Sequence, residues 1–345
     1  MAYYGQAMQG QMSLLSSARP IEQWLADPQV KPELKSRLSR VQDIRAFAVT
    51  HLRLPDNGSY KNYADVKRKY AIWNVVATPE LSLKPRQWCF PVAGCVDYRG
   101  YYNKEAAQVF AEYLRRQGYD VHVSGVPAYS TLGWFNDPVI STFIEYPDPE
   151  LARLVFHELA HQVVYAPGDS QFNESFATAV EEIGVGLWLD QQADAAMRVS
   201  YKIHQQRRED FLKLLTSYKA QLDENFQRPV SDADKRAGKR EIFRSLRQDY
   251  ERMKAERWGG YAGYDPWFSD AISNAHFVLV STYHELVPAF HALYAEQPEF
   301  PSFYRKVRMI AQLNKEARRA RLMPSYSAAQ QTSTEVQHMD TAAAQ

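Results

Sequence analysis

The segment Val155-Phe156-His157-Glu158-Leu159-Ala160-His161 constrains this chain more than any other stretch of it. Upstream, Asp148-Pro149 supplies an N-cap residue followed by proline at the first helical position, so Glu150 to Tyr165 reads as one helix. Histidines four residues apart then project from one face, close enough to grip a single metal ion. Glu158 lies on the same side, where a carboxylate can take a proton from metal-bound water. Leu154, Phe156, Leu159 and Val163 supply the core contacts that hold such a helix in place.

Two histidines do not complete a catalytic zinc site, so a third ligand is required. Asn173-Glu174-Ser175-Phe176-Ala177 stands near the start of a second helix, residues 171–190, after the short loop Ala166-Pro167-Gly168-Asp169-Ser170. A loop of that length lets the second helix fold back antiparallel against the first. Glu174 can then point at the metal across the pair, giving His157, His161 and Glu174 as ligands with one position open for water. The competing reading of Glu174 is a first-turn glutamate favoured by the helix dipole. Thr178 and Glu181, four and seven residues further along the same face, are candidates to orient a ligand histidine.

The rest of the chain frames this pair. Gln6 to Leu15 and Pro32 to Leu54 are rich in helix formers, with Pro20 between them. Tyr70 to Ala77 and Cys95 to Tyr101 read as strands, Lys104 to Gln117 as an amphipathic helix ended by Gly118, and Tyr119 to Val126 and Val139 to Tyr146 as strands again. The charged stretch from Gln205 to Trp258 reads as a long helical hairpin broken near Pro229 to Gly238, its charges a solvated face. Ala271 to Glu296 reads as a further helix, and the Ser/Thr/Ala/Gln-rich residues 325–345 as a disordered tail. The expected class is α+β, with a small mixed sheet, an active-site helix pair and a helical C-terminal half. Its expected divisions are an N-terminal helical segment over 1–69, a core over 70–195, a helical region over 196–324 that completes the cleft, and the tail.

Composition narrows the function. Lys and Arg total 41 against 40 for Asp and Glu, which lacks the basic field of a dedicated nucleic-acid binder. No run of 18 apolar residues occurs in the sequence, so no membrane-spanning helix is expected. There is no G-x-S-x-G elbow, P-loop or G-x-G-x-x-G. The two cysteines, Cys89 and Cys95, sit in Trp88-Cys89-Phe90-Pro91-Val92-Ala93-Gly94-Cys95; spacing alone leaves a disulfide and a pair of small buried thiols equally open.

HExxH followed by NExxA resembles the gluzincin metallopeptidases. The stretches Trp73-Asn-Val-Val-Ala77, Trp88 to Cys95, Tyr98-Arg-Gly-Tyr101, Leu132-Gly-Trp-Phe135 with Asp137-Pro138, and His157 to His161 resemble, more closely, the bacterial predicted-aminopeptidase family. That resemblance covers about residues 3–295. It implies a zincin-like metallopeptidase fold acting on peptides, with Zn2+ held by His157, His161 and Glu174 and with Glu158 as general base. Members of that family typically start with a lipoprotein signal whose modified cysteine precedes a segment like Tyr3-Tyr4-Gly5-Gln6-Ala7. This implies an envelope or periplasmic lipoprotein whose signal segment and lipid anchor are absent from the chain. An envelope location favours a Cys89–Cys95 disulfide.

A further donor should stabilise the oxyanion of a peptide under attack, and Tyr283, His276, His122, Tyr129 and Tyr98 are the candidates. The strand Val139 to Tyr146 leads into the metal helix and is expected either to pair with an extended peptide, with Leu132 to Pro138 as a rim, or to be an ordinary core hairpin. Gly259-Gly260-Tyr261-Ala262-Gly263-Tyr264 reads as a helix connection. Two other function classes remain open at this level. One is a zinc-containing peptide- or protein-binding envelope module without turnover. The other is a protein in which HExxH is only an amphipathic helix and the charged hairpin is the working surface.

Overall fold

Side-chain N-caps start four of the helices among the described residues, at Asn103, Asp169, Asp194 and Ser231. The computed structural model describes residues 2–90, 94–128, 131, 133–192, 194–268, 272–278 and 286–322. Its N-terminal part comprises α1 (Ala2–Ser17), β1 (Arg19–Pro20), α2 (Ile21–Ala26) and α3 (Pro32–Thr50). Strands β2 (Asn62–Ala64), β3 (Ile72–Pro79), β4 (Trp88–Phe90), β5 (Gly94–Val96) and β6 (Arg99–Tyr101) follow. Helix α4 (Lys104–Arg116) starts where the Asn103 side chain accepts from Ala106 N at 2.7 Å, and Gly118, at φ 84°, stops it. Next come β7 (Tyr119–Val126), β8 (Val139–Ile140), α5 (Asp148–Ala160) and α6 (Ser170–Gln191). The C-terminal half holds α7 (Ala195–Gln227), α8 (Asp232–Glu256), a short 3-10 turn at Asp265–Phe268, α9 (Val287–Ala295) and α10 (Phe300–Ala311). The architecture is mixed α+β, mostly helical, with three small sheets.

Sheet order is β6-β3-β7 in an antiparallel sheet covered by α4, β1-β2-β8 in a second, and β4-β5 in a two-stranded hairpin. Val75, Ala77, Val121, Ala107, Ala111 and Leu114 pack between α4 and its sheet. The largest apolar cluster runs from Leu14 to Leu322 and buries the inner faces of α3, α5, α6, α9 and α10 around Phe156, Phe172, Phe176 and Phe290. A separate aromatic cluster around Phe211, Tyr250, Trp258 and Phe268 closes the α7–α8 hairpin. No helix among the described residues is long and apolar enough to cross a membrane.

Several expectations need correction. Of the strand expected over Val139 to Tyr146, only β8 forms, and residues 141–146 are turns. The β-branched run misleads because Arg37 takes up the carbonyls, its Nε donating to Ile144 O at 2.8 Å and an Nη to Tyr146 O. With both its residues buried, β8 offers no long free ladder for a peptide. Cys95 to Tyr101 divides into β5 and β6, which belong to different sheets because β5 turns back on β4 while β6 joins β3. The hairpin break falls at residues 228–231, and Gly238 lies inside α8. A Cβ there would meet Asn225 Oδ1 at 2.1 Å, so glycine serves the close approach of α7 and α8 rather than a turn. Of the helix expected over 271–296, residues 275–278 and α9 are helical, whereas residues 279–285, Tyr283 among them, lie outside the described residues, as does the tail 325–345.

Candidate metal centre

The centre is built by two helices and the loop that joins them. Helix α5 starts one residue earlier than its sequence suggests, with Pro147 rather than Asp148 at the N-cap and no side-chain cap; it ends at Ala160, five residues early, but His161 keeps helical backbone angles (φ −58°, ψ −24°) as the C-cap. Its side chain therefore stays on the face of His157. Asp169 caps α6, accepting from Phe172 N at 3.3 Å. Asn173 pins the intervening loop: its Oδ1 accepts from Ala166 N at 2.7 Å and its Nδ2 donates to Ala166 O at 2.9 Å, all buried. Arg153 meets Glu181 while His161 meets Glu174, so the helices run antiparallel.

This packing brings the three expected ligands together. His157 Nε2 lies 3.2 Å from His161 Nε2 and 3.2 Å from Glu174 Oε2, and His161 Nε2 lies 3.4 Å from Glu174 Oε2. A tetrahedral site with bonds of about 2.0–2.1 Å has ligand–ligand edges of about 3.3–3.4 Å. Two nitrogens and one carboxylate oxygen at this spacing fit one divalent cation; all the candidate ligand atoms of the trio lie within 4.8 Å of one another. Burial disfavours a charged His157, yet the hydrogen bonds it donates to the Glu174 and Glu181 carboxylates hold its pKa up at about 10. Burial also opposes ionisation of Glu174, but the His161 and His157 imidazoles outweigh it and hold the carboxyl down at about 2.

Glu181, fully buried, orients the first histidine, its Oε2 lying 2.8 Å from His157 Nδ1. Because Glu181 engages Nδ1, the nitrogen left to face Glu174 and His161, and to be given up to a metal, is Nε2. Two arginines offset the Glu181 charge: Arg153 at 3.0 Å and Arg208 of α7 at 3.4 Å. Thr178, the other candidate for this role, makes no hydrogen bond through its buried Oγ1. Arg153 was legible in principle, four residues before His157 on one helical face. Arg208 had no local signal, since it arrives from a different helix.

Glu158 faces a cavity of about 460 Å³ lined also by His157, His161, Glu174, Tyr98 and Tyr165. Burial pushes its carboxyl above the ordinary range, opposed by the two histidines. Of the oxyanion candidates, Tyr98 lines this cavity; burial and the charges of Glu174 and Glu158 raise its hydroxyl well above the usual phenol range. His122 and His276 are not among the lining residues of this cavity; their rings lie tilted against each other with centroids 3.8 Å apart, and His276 also packs edge-on against Trp267. Tyr129 and Tyr283 lie outside the described residues. Asn74 of β3 is a lining residue the motif analysis did not single out, and its buried Oδ1 has no hydrogen-bond partner.

Two loops border the centre. Cys89 and Cys95, directly opposite in β4–β5, form a disulfide, and their neighbours Phe90 and Val96 line the cavity. Gly94, at φ 73°, lies so close to the loop between α5 and α6 that a Cβ would meet Gly168 N at 2.6 Å. In the expected rim, a Cβ on Gly133 would lie 3.7 Å from the side chain of Gln162, the neighbour of His161. Trp134 and Phe135 beside it are exposed, and Leu132 lies outside the described residues. Residues 259–264 connect α8 to the 3-10 turn, with Tyr264 stacked on Phe211 at 4.3 Å.

No curated protein and no solved structure matches this chain. A match over residues 2–322, a span that holds every residue of the centre described above, shows that the chain belongs to the family described as "Putative aminopeptidase".

Proposed function

We propose that this chain is a zinc-dependent peptidase of zincin-like fold, with His157, His161 and Glu174 as ligands and Glu158 as general base. The observation that carries this reading is the triangle of donor atoms, 3.2–3.4 Å on each edge, in the same cavity as Glu158. Family membership supports peptides as the substrate class. Zinc bound there would act as a Lewis acid toward a peptide carbonyl and a water molecule. Glu158 takes the proton of the attacking water and returns it to the departing amine nitrogen. Tyr98 donates a hydrogen bond to the oxyanion as the carbonyl becomes tetrahedral. Glu181 keeps the His157 ring turned so that its Nε2 lone pair faces the ligand set. An envelope location belongs to the same reading, and the Cys89–Cys95 disulfide supports it because such bonds persist in oxidising compartments.

Glu158→Gln tests the reading, since it preserves side-chain size and all three ligands. Zinc content and thermal stability should match the wild type, while peptide hydrolysis falls by roughly two orders of magnitude or more. Equal hydrolysis by the variant would overturn the role of Glu158. A zinc-loaded wild type that cuts no peptide, free or N-blocked, would instead identify a binding module without turnover.

A further inference from the structure

A larger cavity, of about 560 Å³, lies beside the metal cavity and takes no part in the chemistry above. Ser170, the first residue of α6, lines both. The strands of the disulfide hairpin contribute to both, Cys95 to this cavity and its neighbour Val96 to the metal cavity, and Gly94 is seated against Gly168. The two spaces are therefore adjoining parts of one surface, and their volumes fall in the range of ligand sites.

Charge distinguishes the second space. Its lining carries Lys84, Lys219, Lys315 and Arg319 against Asp97 and Asp223, a local excess of two positive charges in a chain whose net charge is +1. These cations converge from three parts of the fold: the loop after β3, α7 and the helical residues 315–322. Lys219 is neutralised by Asp223 at 3.1 Å. Lys315 stands 4.0 Å from Asp169, a carboxylate that Arg318 already holds at 2.9 Å. Arg319 donates to the Gln171 amide oxygen, a neutral partner that leaves its charge uncompensated. Lys84, Lys315 and Arg319 are exposed, so they are available to an incoming anion at little desolvation cost.

We propose that this basic cavity is a substrate subsite that receives acidic side chains or the terminal carboxylate of a peptide whose scissile bond lies at the metal centre. The inference rests on the peptidase reading and adds to it a substrate class, peptides carrying negative charge away from the cleaved bond. Cations at the far end of an extended cleft steer and anchor such a peptide without touching the reacting atoms.

The experiment compares matched peptides of equal length bearing Glu, Gln or Lys at successive positions on either side of the scissile bond. In the wild type, kcat/KM should favour a Glu peptide over its Lys counterpart by about tenfold at low salt, and the preference should shrink as ionic strength rises. The triple variant K84E/K315E/R319E, confined to exposed side chains, should abolish or reverse that ratio. Selectivity that is equal in wild type and variant, or the absence of both a Glu preference and an effect of C-terminal amidation, overturns the proposal. Anisotropy of the same peptides, fluorescently labelled, on Glu158→Gln protein reads binding without turnover. If nothing is cleaved, the peptidase reading fails on its own, and charge-independent binding in this second measurement separately overturns the subsite. Peptides with amidated C-termini separate the two anion sources: a site for the terminal carboxylate loses kcat/KM on amidation whatever the side chains and this loss vanishes in the triple variant, while a site for acidic side chains keeps its Glu preference.

Discussion

Glu181 Oε2 lies 2.8 Å from His157 Nδ1, and this contact across the α5–α6 pair fixes which nitrogen of the histidine faces Glu174 and His161. The carboxylate is fully buried and is balanced by Arg153 and Arg208, so its position is set by charges from three helices rather than by the motif alone.

The first prediction separates ligand from supporting residue. Purified protein should hold about one zinc per chain by elemental analysis, and His161→Ala should lose it. Glu181→Gln should retain the site but weaken zinc by about 10–100-fold in chelator competition, as loss of an orienting carboxylate does. Zinc retained at full stoichiometry in His161→Ala would remove that residue from the ligand set.

Tyr98→Phe deletes one hydroxyl from the metal cavity and leaves ligands and Glu158 in place. Loss of an oxyanion donor typically lowers kcat by about 10²–10³, with zinc content unchanged. A variant with unaltered kcat would reduce Tyr98 to a packing role.

The disulfide closes a loop of sequence separation 6, for which chain entropy gives a stabilisation of about 2 kcal/mol. Cys89→Ser with Cys95→Ser should lower the denaturation free energy by about that amount. Mass analysis should find both thiols blocked to alkylation in native protein and open after reduction. Because the hairpin seats on Gly168, the double variant should also bind zinc less tightly, a second readout of the same contact.

Asp137 gives a pH signature. Burial pushes its carboxyl up to about 6 from 3.8, against hydrogen bonds from the Thr131 backbone and hydroxyl. Between about pH 4 and 6 the folded protein therefore retains a proton that the unfolded chain has released. Stability is highest below this window and falls as pH rises through it, by roughly 3 kcal/mol in all. Asp137→Asn should remove this component, so the difference in unfolding free energy between wild type and variant should change across pH 4–6 and be flat above 7. A constant difference from pH 3 to 8 would show that the carboxyl is not perturbed.

The convergence of His157, His161 and Glu174 was legible because its geometry is local. His157 and His161 share a face through the helical repeat alone, and Glu174 follows once a short loop forces the next helix to return. The same held for α4 and β7, whose Gly118 stop and β-rich run are signals contained within the segments that they shape. Where partners are distant in sequence, local pattern failed: residues 141–146 carry strand-forming side chains, yet Arg37 from α3 claims their carbonyls. Gly238 looks like a breaker until Asn225 is seen against it. The sequence by itself thus determined most of the helices and the convergence of His157, His161 and Glu174, which depend on residues a few positions apart or on one short loop. Only the tertiary structure decided that Glu181 rather than Thr178 orients His157, that Arg208 offsets the Glu181 charge, that His122 and His276 pair away from the cavity, and that a basic cavity adjoins the metal centre. Those relationships depend on how helices and strands far apart in the chain pack against one another, and no periodicity along the chain encodes them.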